Sequence, residues 1–313
     1  MTDYSRLIDA EMWAFIERTN SFYPPDTIDF TIDQQRAVYD RMCQAFHAGY
    51  PDGVTAQTSA IATPTHDIPI RIYKSGAANE AALVVYYHGG GFILGGLESH
   101  DDVCAEICGQ SGYEVVSVDY RLCPEHRHPA AFDDALAAFE WAAATYDRPI
   151  LLCGDSAGGN LTAAVTQHLR GHARAPIGQV LIYPGLGGDQ TKGSYVVHAE
   201  APMLTRRDLD FYKDIRTGGA DFSGDPRLAP LADTDFSCLP PTAIVTPECD
   251  PLSSDGETYC NLIVAAGGKA IWFEEPGLVH GFLRARHMSK RAGNGFARIV
   301  AAVAALGKNQ WPY

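Results

Sequence analysis

Short apolar segments alternate with longer segments of helical pattern from about residue 54 to the end of the chain. Several short segments are apolar almost throughout, among them residues 82–87 and 242–246, as expected for strands buried on both faces of a parallel sheet. The pattern predicts eight strands, at residues 54–61, 68–73, 82–87, 114–119, 149–153, 178–183, 242–247 and 270–274. It predicts helices between them, at residues 99–110, 130–145, 158–171, 254–266 and 289–306.

The connections decide how these strands are arranged. Only residues 63–67 join the first two strands, which should therefore pair antiparallel, whereas the later strands are joined through helices and should be parallel. The sequence thus predicts an α/β fold with a mixed, mostly parallel eight-stranded sheet flanked by helices. Ser99 and Asp102 predict a capping box at the first of these helices, and Gly267 and Gly268 predict the end of the fourth.

Two stretches stand outside this alternation. Residues 1–47 are helical in pattern and rich in aromatic residues, and residues 185–225 hold a second apolar cluster in a region too long for one strand–helix–strand connection. Open α/β sheets bind ligands at the carboxyl ends of their strands, and we expect both stretches to form a helical cap there. The predicted organisation is a cap in two parts, 1–47 and 185–225, and an α/β core in two parts, 48–184 and 226–313.

Composition narrows the class of partner. Of the 313 residues 46% are hydrophobic, enough for a large core, and 24 basic against 38 acidic residues give a net charge of −14. This charge argues against nucleic acid and anionic membranes as partners and favours neutral or cationic ligands. The chain starts without a signal-peptide pattern, has no apolar run of the ~20 residues that span a bilayer, and carries cysteines without metal-site spacing. We therefore expect a cytoplasmic protein with reduced thiols.

The most informative motif is Gly-Asp-Ser-Ala-Gly at residues 154–158. It follows the predicted strand 149–153 and precedes a helical segment, which is the setting of a nucleophile elbow. Such a turn holds Ser156 in a strained backbone conformation with its Oγ exposed, and a Cβ at either flanking glycine would collide with neighbouring backbone. The motif indicates a serine nucleophile.

A second motif, His-Gly-Gly-Gly-Phe at residues 88–92, follows the predicted strand 82–87. A run of glycines can point several backbone N–H groups into one cavity, as an oxyanion hole requires. Together the two motifs indicate a serine hydrolase.

The serine needs a base, and the base needs an orienting carboxylate. In hydrolases with a nucleophile elbow the acid and then the base follow the serine along the chain. Beyond the later strands only His280 and His287 remain. His280 should follow the strand 270–274 through a short loop, residues 275–279, at the same edge of the sheet as Ser156. His287 lies near the last helix and should be a solvated surface residue.

Three carboxylates can serve as the acid. Asp250 is the leading candidate, because it should lie just past the strand 242–246 and a short turn at 247–249. From there it would be within reach of the far nitrogen of His280. Asp255 should open the following helix, where a carboxylate suits the helix N-terminus. Glu248 is the third option.

These segments coincide with the pattern of a known family. The chain resembles the hormone-sensitive-lipase-like branch of the α/β-hydrolase superfamily, the bacterial family IV carboxylesterases. The resemblance covers roughly residues 60–290, and five motifs that occur in the family's order carry it, at 88–92, 118–125, 154–160, 250–252 and 280–282.

The resemblance implies a role for each of these positions. Ser156 would be the nucleophile, His280 the general base and acid, and Asp250 the residue that orients His280. Backbone groups of the glycine loop and the elbow would form the oxyanion hole, with the first glycine helping to shape the loop: Gly89, Gly90, Gly91 and Ala157. The 118–125 segment would brace the active-site loops through Asp119, Arg121 and Glu125.

The implied activity is hydrolysis of short-chain acyl esters through an acyl-enzyme, with no metal or organic cofactor. The two cap stretches look suited to roofing a compact pocket, and the chain has no strongly amphipathic basic helix of the interfacial kind, so we expect a soluble ester. The alternatives are an amidase or lactonase on the same triad, and a non-catalytic small-molecule receptor, against which the retained triad argues. The resemblance also implies a homodimer through the last strand, 270–274, at the sheet edge.

Overall fold

The computed structural model describes residues 2–24, 30–76 and 79–313. One sheet of eight strands lies at its centre. In chain order the strands are β1 Val54–Ala62, β2 Asp67–Ser75, β3 Leu83–Tyr87, β4 Glu114–Val118, β5 Ile150–Asp155, β6 Gly178–Ile182, β7 Thr242–Cys249 and β8 Ala270–Val279. They lie side by side in the order β1-β2-β4-β3-β5-β6-β7-β8.

The direction of pairing separates the first two strands from the rest. β1 pairs with β2, and β2 with β4, in antiparallel orientation. The pairs from β4–β3 to β7–β8 are parallel. The predicted mixed, mostly parallel sheet of eight strands is confirmed, and so is the antiparallel pairing of the first two strands.

Helices cover both faces of the sheet. In chain order, the α-helices of the described residues are α1 Tyr4–Leu7, α2 Ala10–Asn20, α3 Ile32–Phe46, α4 Asp101–Ser111, α5 Ala130–Thr145, α6 Ala157–His168, α7 Ser194–Val197, α8 Arg206–Thr217, α9 Ser253–Ala265 and α10 Lys290–Gly307. Helices α4 and α10 pack together on one face, while α5, α6 and α9 cover the other. All five residues of β3 are buried because helices lie on both sides of it.

The last two strands run further than their apolar pattern predicted. β7 continues to Cys249 and β8 to Val279, with an irregularity in their pairing between Pro247 and Cys249. The predicted turn at 247–249 and the predicted loop at 275–279 are therefore wrong. Asp250 and His280 each follow directly on a strand end, because backbone pairing persists where the apolar pattern stops.

The predicted capping box at Ser99 and Asp102 is also wrong. Helix α4 begins at Asp101, and its N-cap residue, His100, makes no side-chain capping bond. Ser99 Oγ instead bonds to the backbone of Gly96, at 3.0 Å to the N–H and 2.9 Å to the carbonyl oxygen. The Ser99 hydroxyl is therefore used within the turn at Gly96 and does not cap the helix.

The last strand and the segments outside the strand–helix alternation have defined positions relative to the sheet. β8 is the outermost strand on its side, and its pairing with a second copy of the chain stays a prediction. Residues of α2, α3 and α8 lie around a cavity above the carboxyl ends of the central strands. In the part of the chain described, no helix has the length and apolar character needed to cross a bilayer.

Candidate active site

The nucleophile elbow is the sharp turn between β5 and α6. Ser156 has φ 52° and ψ −113°, a strained conformation that needs support from its surroundings. Its N–H donates to the carbonyl oxygen of Ile182 at 2.8 Å. A Cβ on Gly154 would lie 2.4 Å from the carbonyl oxygen of Gly158, and a Cβ on Gly158 would lie 1.9 Å from that of Tyr87. Both positions therefore require glycine.

Ser156, His280 and Asp250 form a hydrogen-bonded chain at the carboxyl ends of three strands. His280 Nε2 lies 2.9 Å from Ser156 Oγ, and His280 Nδ1 lies 2.7 Å from Asp250 Oδ2. Because an ionised carboxylate only accepts hydrogen bonds, Nδ1 donates to Asp250 and Nε2 is left to accept from the serine hydroxyl. The structure thus brings together the three predicted side chains, with a proton acceptor directly beside Ser156.

The other two candidate acids make no hydrogen bond to His280. Asp255 lies in the first turn of α9, as predicted, but it is buried and accepts from the Tyr195 hydroxyl at 3.0 Å. Burial raises the pKa of Asp255 to about 6. Glu248 accepts a backbone N–H of β8 at 2.8 Å. Within the described residues, Asp250 is the carboxylate that hydrogen bonds to His280.

The glycine loop after β3 lies against the elbow. Gly90 and Gly91, like Ala157 at the start of α6, line the cavity beside the nucleophile. In the described part of the chain, the protein offers no acceptor to the N–H of Gly90 or of Gly91. The N–H of Gly89 instead donates to Asp155 Oδ1 at 2.8 Å. Gly89 therefore holds the loop in place, and the next two N–H groups are available to a ligand.

Asp155 connects the elbow to this loop, a role that the sequence reasoning missed. Besides the Gly89 N–H, its carboxylate accepts from the Tyr86 hydroxyl at 2.8 Å and lies 3.2 Å from His100 Nε2. Burial alone would raise the pKa of Asp155, but His100 and the hydrogen bonds hold it below its usual value. The motif at 154–158 contains this residue, yet nothing in the sequence shows that its carboxylate lies beneath the nucleophile.

Tyr183 is a second residue that the sequence did not single out. Its ring centroid lies 4.8 Å from that of His280, and its hydroxyl donates to Asp155 at 3.3 Å. It follows β6 with a φ of 35°. Tyr183 therefore packs against the imidazole and links it to the buried carboxylate below.

The predicted bracing residues have partners outside the triad. Arg121 binds both carboxylate oxygens of Asp134, at 2.8 and 2.9 Å. Glu125 pairs with Arg36 on α3 at 2.8 Å, and the same guanidinium donates to the carbonyl oxygen of Ile93 at 2.9 Å. This second pair ties α3 to the glycine loop.

Two residues singled out in the sequence remain, Asp119 as a predicted bracing residue and His287 as the second histidine considered for the base. Burial raises the pKa of Asp119 to about 6. His287 has an exposed side chain, as expected, but its Nε2 also lies 2.7 Å from Glu106 Oε1. Neither residue lines the cavity that contains Ser156.

The cavity above Ser156 has a volume of about 1120 Å³. It is larger than the compact pocket expected from the sequence, because it extends to a rim of exposed side chains that includes Arg207, Lys213 and Asp214. One wall is formed by Tyr212 of α8, whose ring would lie 2.7 Å from a Cβ at Gly91. Only glycine at this position lets α8 pack directly on the loop. Among the described residues, no cluster of three or more His, Cys, Asp and Glu side chains could hold a metal ion.

Comparison with known proteins places this geometry in a family. The sequence profile of a family described as alpha/beta hydrolase fold matches residues 84–284. The chain belongs to the α/β-hydrolase fold family. This hydrolase is 34% identical over 291 residues to the carboxylic ester hydrolase LipN of Mycobacterium tuberculosis, covering 89% of the chain and 77% of that protein. It is 32% identical over 250 residues to an ethyl acetate hydrolase of Pseudomonas putida, covering 76% and 78%.

Comparison with solved structures gives the same family as the comparison of sequences. The hydrolase matches a hyperthermophilic esterase from the archaeon Pyrobaculum calidifontis with a TM-score of 0.86 at 29% identity, covering 96% of this chain and 99% of that one. The predicted α/β-hydrolase fold and the predicted resemblance to carboxylesterases are confirmed, and the chain is an enzyme of the hydrolase class.

His88, which begins the glycine loop, is buried, and no carboxylate in the described part of the chain lies at hydrogen-bond distance from its ring. Its ring stacks on Tyr120 with centroids 4.3 Å apart, and its Nδ1 donates to the Gly89 carbonyl oxygen at 2.7 Å. The nearest acidic oxygen, on Asp119, lies 3.9 Å from Nε2. Burial, together with the neighbouring His100, lowers the pKa of His88 to about 4. The folded protein therefore contains His88 as the neutral imidazole at neutral pH.

This lowered pKa predicts a loss of stability in mild acid. An unfolded histidine takes up a proton near pH ~6.5, whereas folded His88 does so only near pH 4. The unfolded state therefore binds more protons between these values, and the free energy of unfolding should fall across this window by on the order of 3 kcal/mol. The measurement is chemical denaturation of the wild type and of His88→Asn between pH 7 and pH ~4.5.

We expect His88→Asn to be less stable than the wild type at pH 7 but to lose less stability on acidification. His172→Asn, which removes an exposed histidine, should keep the wild-type pH dependence. Equal slopes for the wild type and His88→Asn would contradict the prediction.

Proposed function

We propose that this chain is a serine carboxylesterase in which Ser156, His280 and Asp250 hydrolyse esters through an acyl-enzyme. The observation that carries the proposal is the continuous hydrogen-bonded chain, 2.9 Å from Ser156 Oγ to His280 Nε2 and 2.7 Å from His280 Nδ1 to Asp250 Oδ2. A nucleophile bonded to a base that is itself oriented by a buried acid is the arrangement that activates a serine hydroxyl.

In the first half-reaction His280 Nε2 takes the hydroxyl proton as Ser156 Oγ attacks the ester carbonyl carbon. The negative charge that develops on the carbonyl oxygen is stabilised by the N–H groups of Gly90, Gly91 and Ala157. In enzymes of this kind each such donor contributes about 3 kcal/mol to transition-state stabilisation. Protonated His280, stabilised by Asp250, then gives its proton to the leaving alcohol.

In the second half-reaction water takes the place of the alcohol. His280 removes a proton from the water, which attacks the acyl carbon, and the same donors stabilise the second oxyanion. The imidazolium then returns the proton to Ser156 Oγ, and the carboxylic acid leaves. The reaction uses water as its only co-substrate.

The relatives named above are ester hydrolases, which does not favour the amidase, lactonase and receptor alternatives. These relatives also support a small ester as the substrate, since one of them is an ethyl acetate hydrolase. We further propose that segments 1–47 and 185–225 form the cap over the cavity. The charged rim of the cavity suits short acyl chains, because a long alkyl chain would have to cross Arg207, Lys213 and Asp214.

We also propose a cytoplasmic location. All eight cysteines are free thiols, and disulfide-free proteins with many thiols are typical of a reducing compartment. Fractionation of the native host, with a periplasmic marker enzyme as reference, tests this location.

Removal of any triad member should lower kcat by roughly 10³-fold or more while the fold is retained. The variants are Ser156→Ala, His280→Ala and Asp250→Asn, each measured on 4-nitrophenyl butyrate with circular dichroism as the test of folding. Because the triad acts as a unit, the Ser156→Ala/His280→Ala double variant should be little worse than either single variant.

Asp255→Asn is the matched control, since it makes the same change at a second buried aspartate, five residues further along the chain. It should cost far less activity than Asp250→Asn. If the two variants are equally damaging, or if the losses in the double variant multiply, the proposed roles of Asp250 and His280 are wrong.

The acyl-chain preference should have its maximum between acetyl and hexanoyl. Each buried methylene gains at most ~0.8 kcal/mol, and this gain ends where the chain reaches the charged rim. In a series of 4-nitrophenyl esters kcat/KM should fall steeply by decanoyl. A preference for palmitate over butyrate, or a rise in rate when the substrate exceeds its solubility limit, would indicate a lipase instead.

A further inference from the structure

One cation in the wall of the active-site cavity has no anionic partner in the described protein. Arg284 lies in the 3₁₀ turn Phe282–Ala285, four residues after His280. Its Nη2 donates to the Tyr39 hydroxyl, and its guanidinium lies 5.0 Å from the centre of the Tyr39 ring. None of the carboxylates in the described residues lies within ion-pair distance of it.

The neighbouring Arg286 shows what a paired arginine looks like in the same turn. Arg286 Nη2 lies 2.5 Å from Asp102 Oδ2 and 2.6 Å from Glu106 Oε1. Neither Arg286 nor either of its carboxylate partners lines the cavity. Among the described residues, Arg286 therefore has two carboxylate partners and Arg284 has none.

Arg284 also has hydrogen-bonding capacity that the described protein leaves unused. Its Nε is buried and has no acceptor among the described residues. Its Nη1 lies 3.7 Å from the position of a Cβ at Gly281, so this end of the guanidinium is next to the residue that follows His280. A buried donor without an acceptor is costly, and a charged one more so. An anion bound in the cavity would neutralise the unpaired charge of this guanidinium.

A second buried guanidinium in the cavity wall, that of Arg216, also has no carboxylate partner among the described residues, but its Nη groups donate to acceptors of the protein. It lies 3.5 Å from the centre of the Phe92 ring. Its donors are taken by the Leu228 carbonyl oxygen at 3.2 Å and by Asn160 Oδ1 at 3.2 Å. Arg216 therefore holds the cavity wall together, whereas Arg284 is open to a ligand.

We propose that Arg284 is a specificity-determining residue that binds a carboxylate carried by the ester substrate. This inference rests on the proposed esterase function and narrows its substrate class to esters that bear a second, ionised acid group on the acyl or on the alcohol side. A carboxylate matches the single charge of one guanidinium, whereas a phosphate dianion would leave excess negative charge close to Asp155 and Asp250. The net charge of −14 repels anions at long range, so recognition depends on this local cation.

The experiment compares pairs of substrates that differ only in charge. For the acyl side the pair is the mono-4-nitrophenyl ester of adipic acid and the corresponding adipamate, in which an amide replaces the carboxylate. For the alcohol side it is the butyrate ester of 4-hydroxybenzoate and that of 4-hydroxybenzamide. The quantity measured is the ratio of kcat/KM for the carboxylate to kcat/KM for the amide.

In the wild type this ratio should exceed one for the pair whose carboxylate reaches Arg284. Arg284→Met retains an unbranched apolar stem and removes the charge, and it should lower the ratio roughly tenfold to a hundredfold, the loss expected for a charge-assisted hydrogen bond. Arg284→Lys should retain part of the preference. 4-Nitrophenyl butyrate, which carries no carboxylate, gives the reference kcat/KM of each protein, so a general loss of activity is separated from a loss of carboxylate preference.

Two control variants separate binding from structural support. Tyr39→Phe removes the protein's acceptor for Nη2 but leaves the guanidinium, and it should keep the wild-type ratio. Arg207→Gln removes an exposed cation at the rim of the same cavity, where solvent screens the charge, and it should also keep the ratio.

An unchanged ratio in Arg284→Met for both pairs overturns the proposal. Equal losses on carboxylate, amide and butyrate substrates, matched by Tyr39→Phe, would also overturn it, because Arg284 would then only support α3. Failure of the esterase function itself is distinguishable, since the wild type would then hydrolyse no ester at all, butyrate included.

Discussion

The active site depends on the close approach of two backbone segments, the elbow at Ser156 and the glycine loop after β3. Gly158 comes so near the Tyr87 carbonyl oxygen that a Cβ would lie 1.9 Å from it. The buried Asp155 carboxylate holds the segments together through the Gly89 N–H. Because adjacent parallel strands carry the two segments, the sheet fixes the distance between Ser156 and the oxyanion donors that we propose before any substrate binds, as electrostatic preorganisation requires.

The positions of His280 and Asp250, the proposed base and acid, are set by the same edge of the sheet. Asp250 and His280 follow directly on β7 and β8, which remain paired up to Cys249 and Val279. Residues at the ends of paired strands have little freedom, so the imidazole is placed by backbone hydrogen bonds as well as by its contact with Tyr183. The cap segments contribute differently. Arg36 ties α3 to the glycine loop, and Tyr212 packs on Gly91, so the helices of the proposed cap also hold the glycine loop in place.

Sequence reasoning was strongest where chemistry restricts the residue type. The glycines of the elbow and the apolar runs of the central strands leave few alternatives, and these features predicted the sheet and the neighbours of Ser156. Sequence reasoning was weaker where backbone pairing or burial determines the length of an element or the partner of a side chain. The extension of β8 through residues 275–279 lacks an apolar pattern, and Ser99 bonds to a turn rather than to the helix end. The role of Asp155 and the unpaired state of Arg284 depend on residues far apart in the chain, which local patterns do not reveal.

The central claim is that Ser156 is the nucleophile because the elbow, the glycine loop and His280 converge on its Oγ. Covalent labelling with diethyl 4-nitrophenyl phosphate tests it most directly, since attack by the nucleophile transfers a diethylphosphoryl group and releases 4-nitrophenolate. Intact-mass and peptide analysis should show a single adduct, located on Ser156, with matching release of 4-nitrophenolate and none in Ser156→Ala. Labelling of another residue, or equal labelling of Ser156→Ala, would contradict the account.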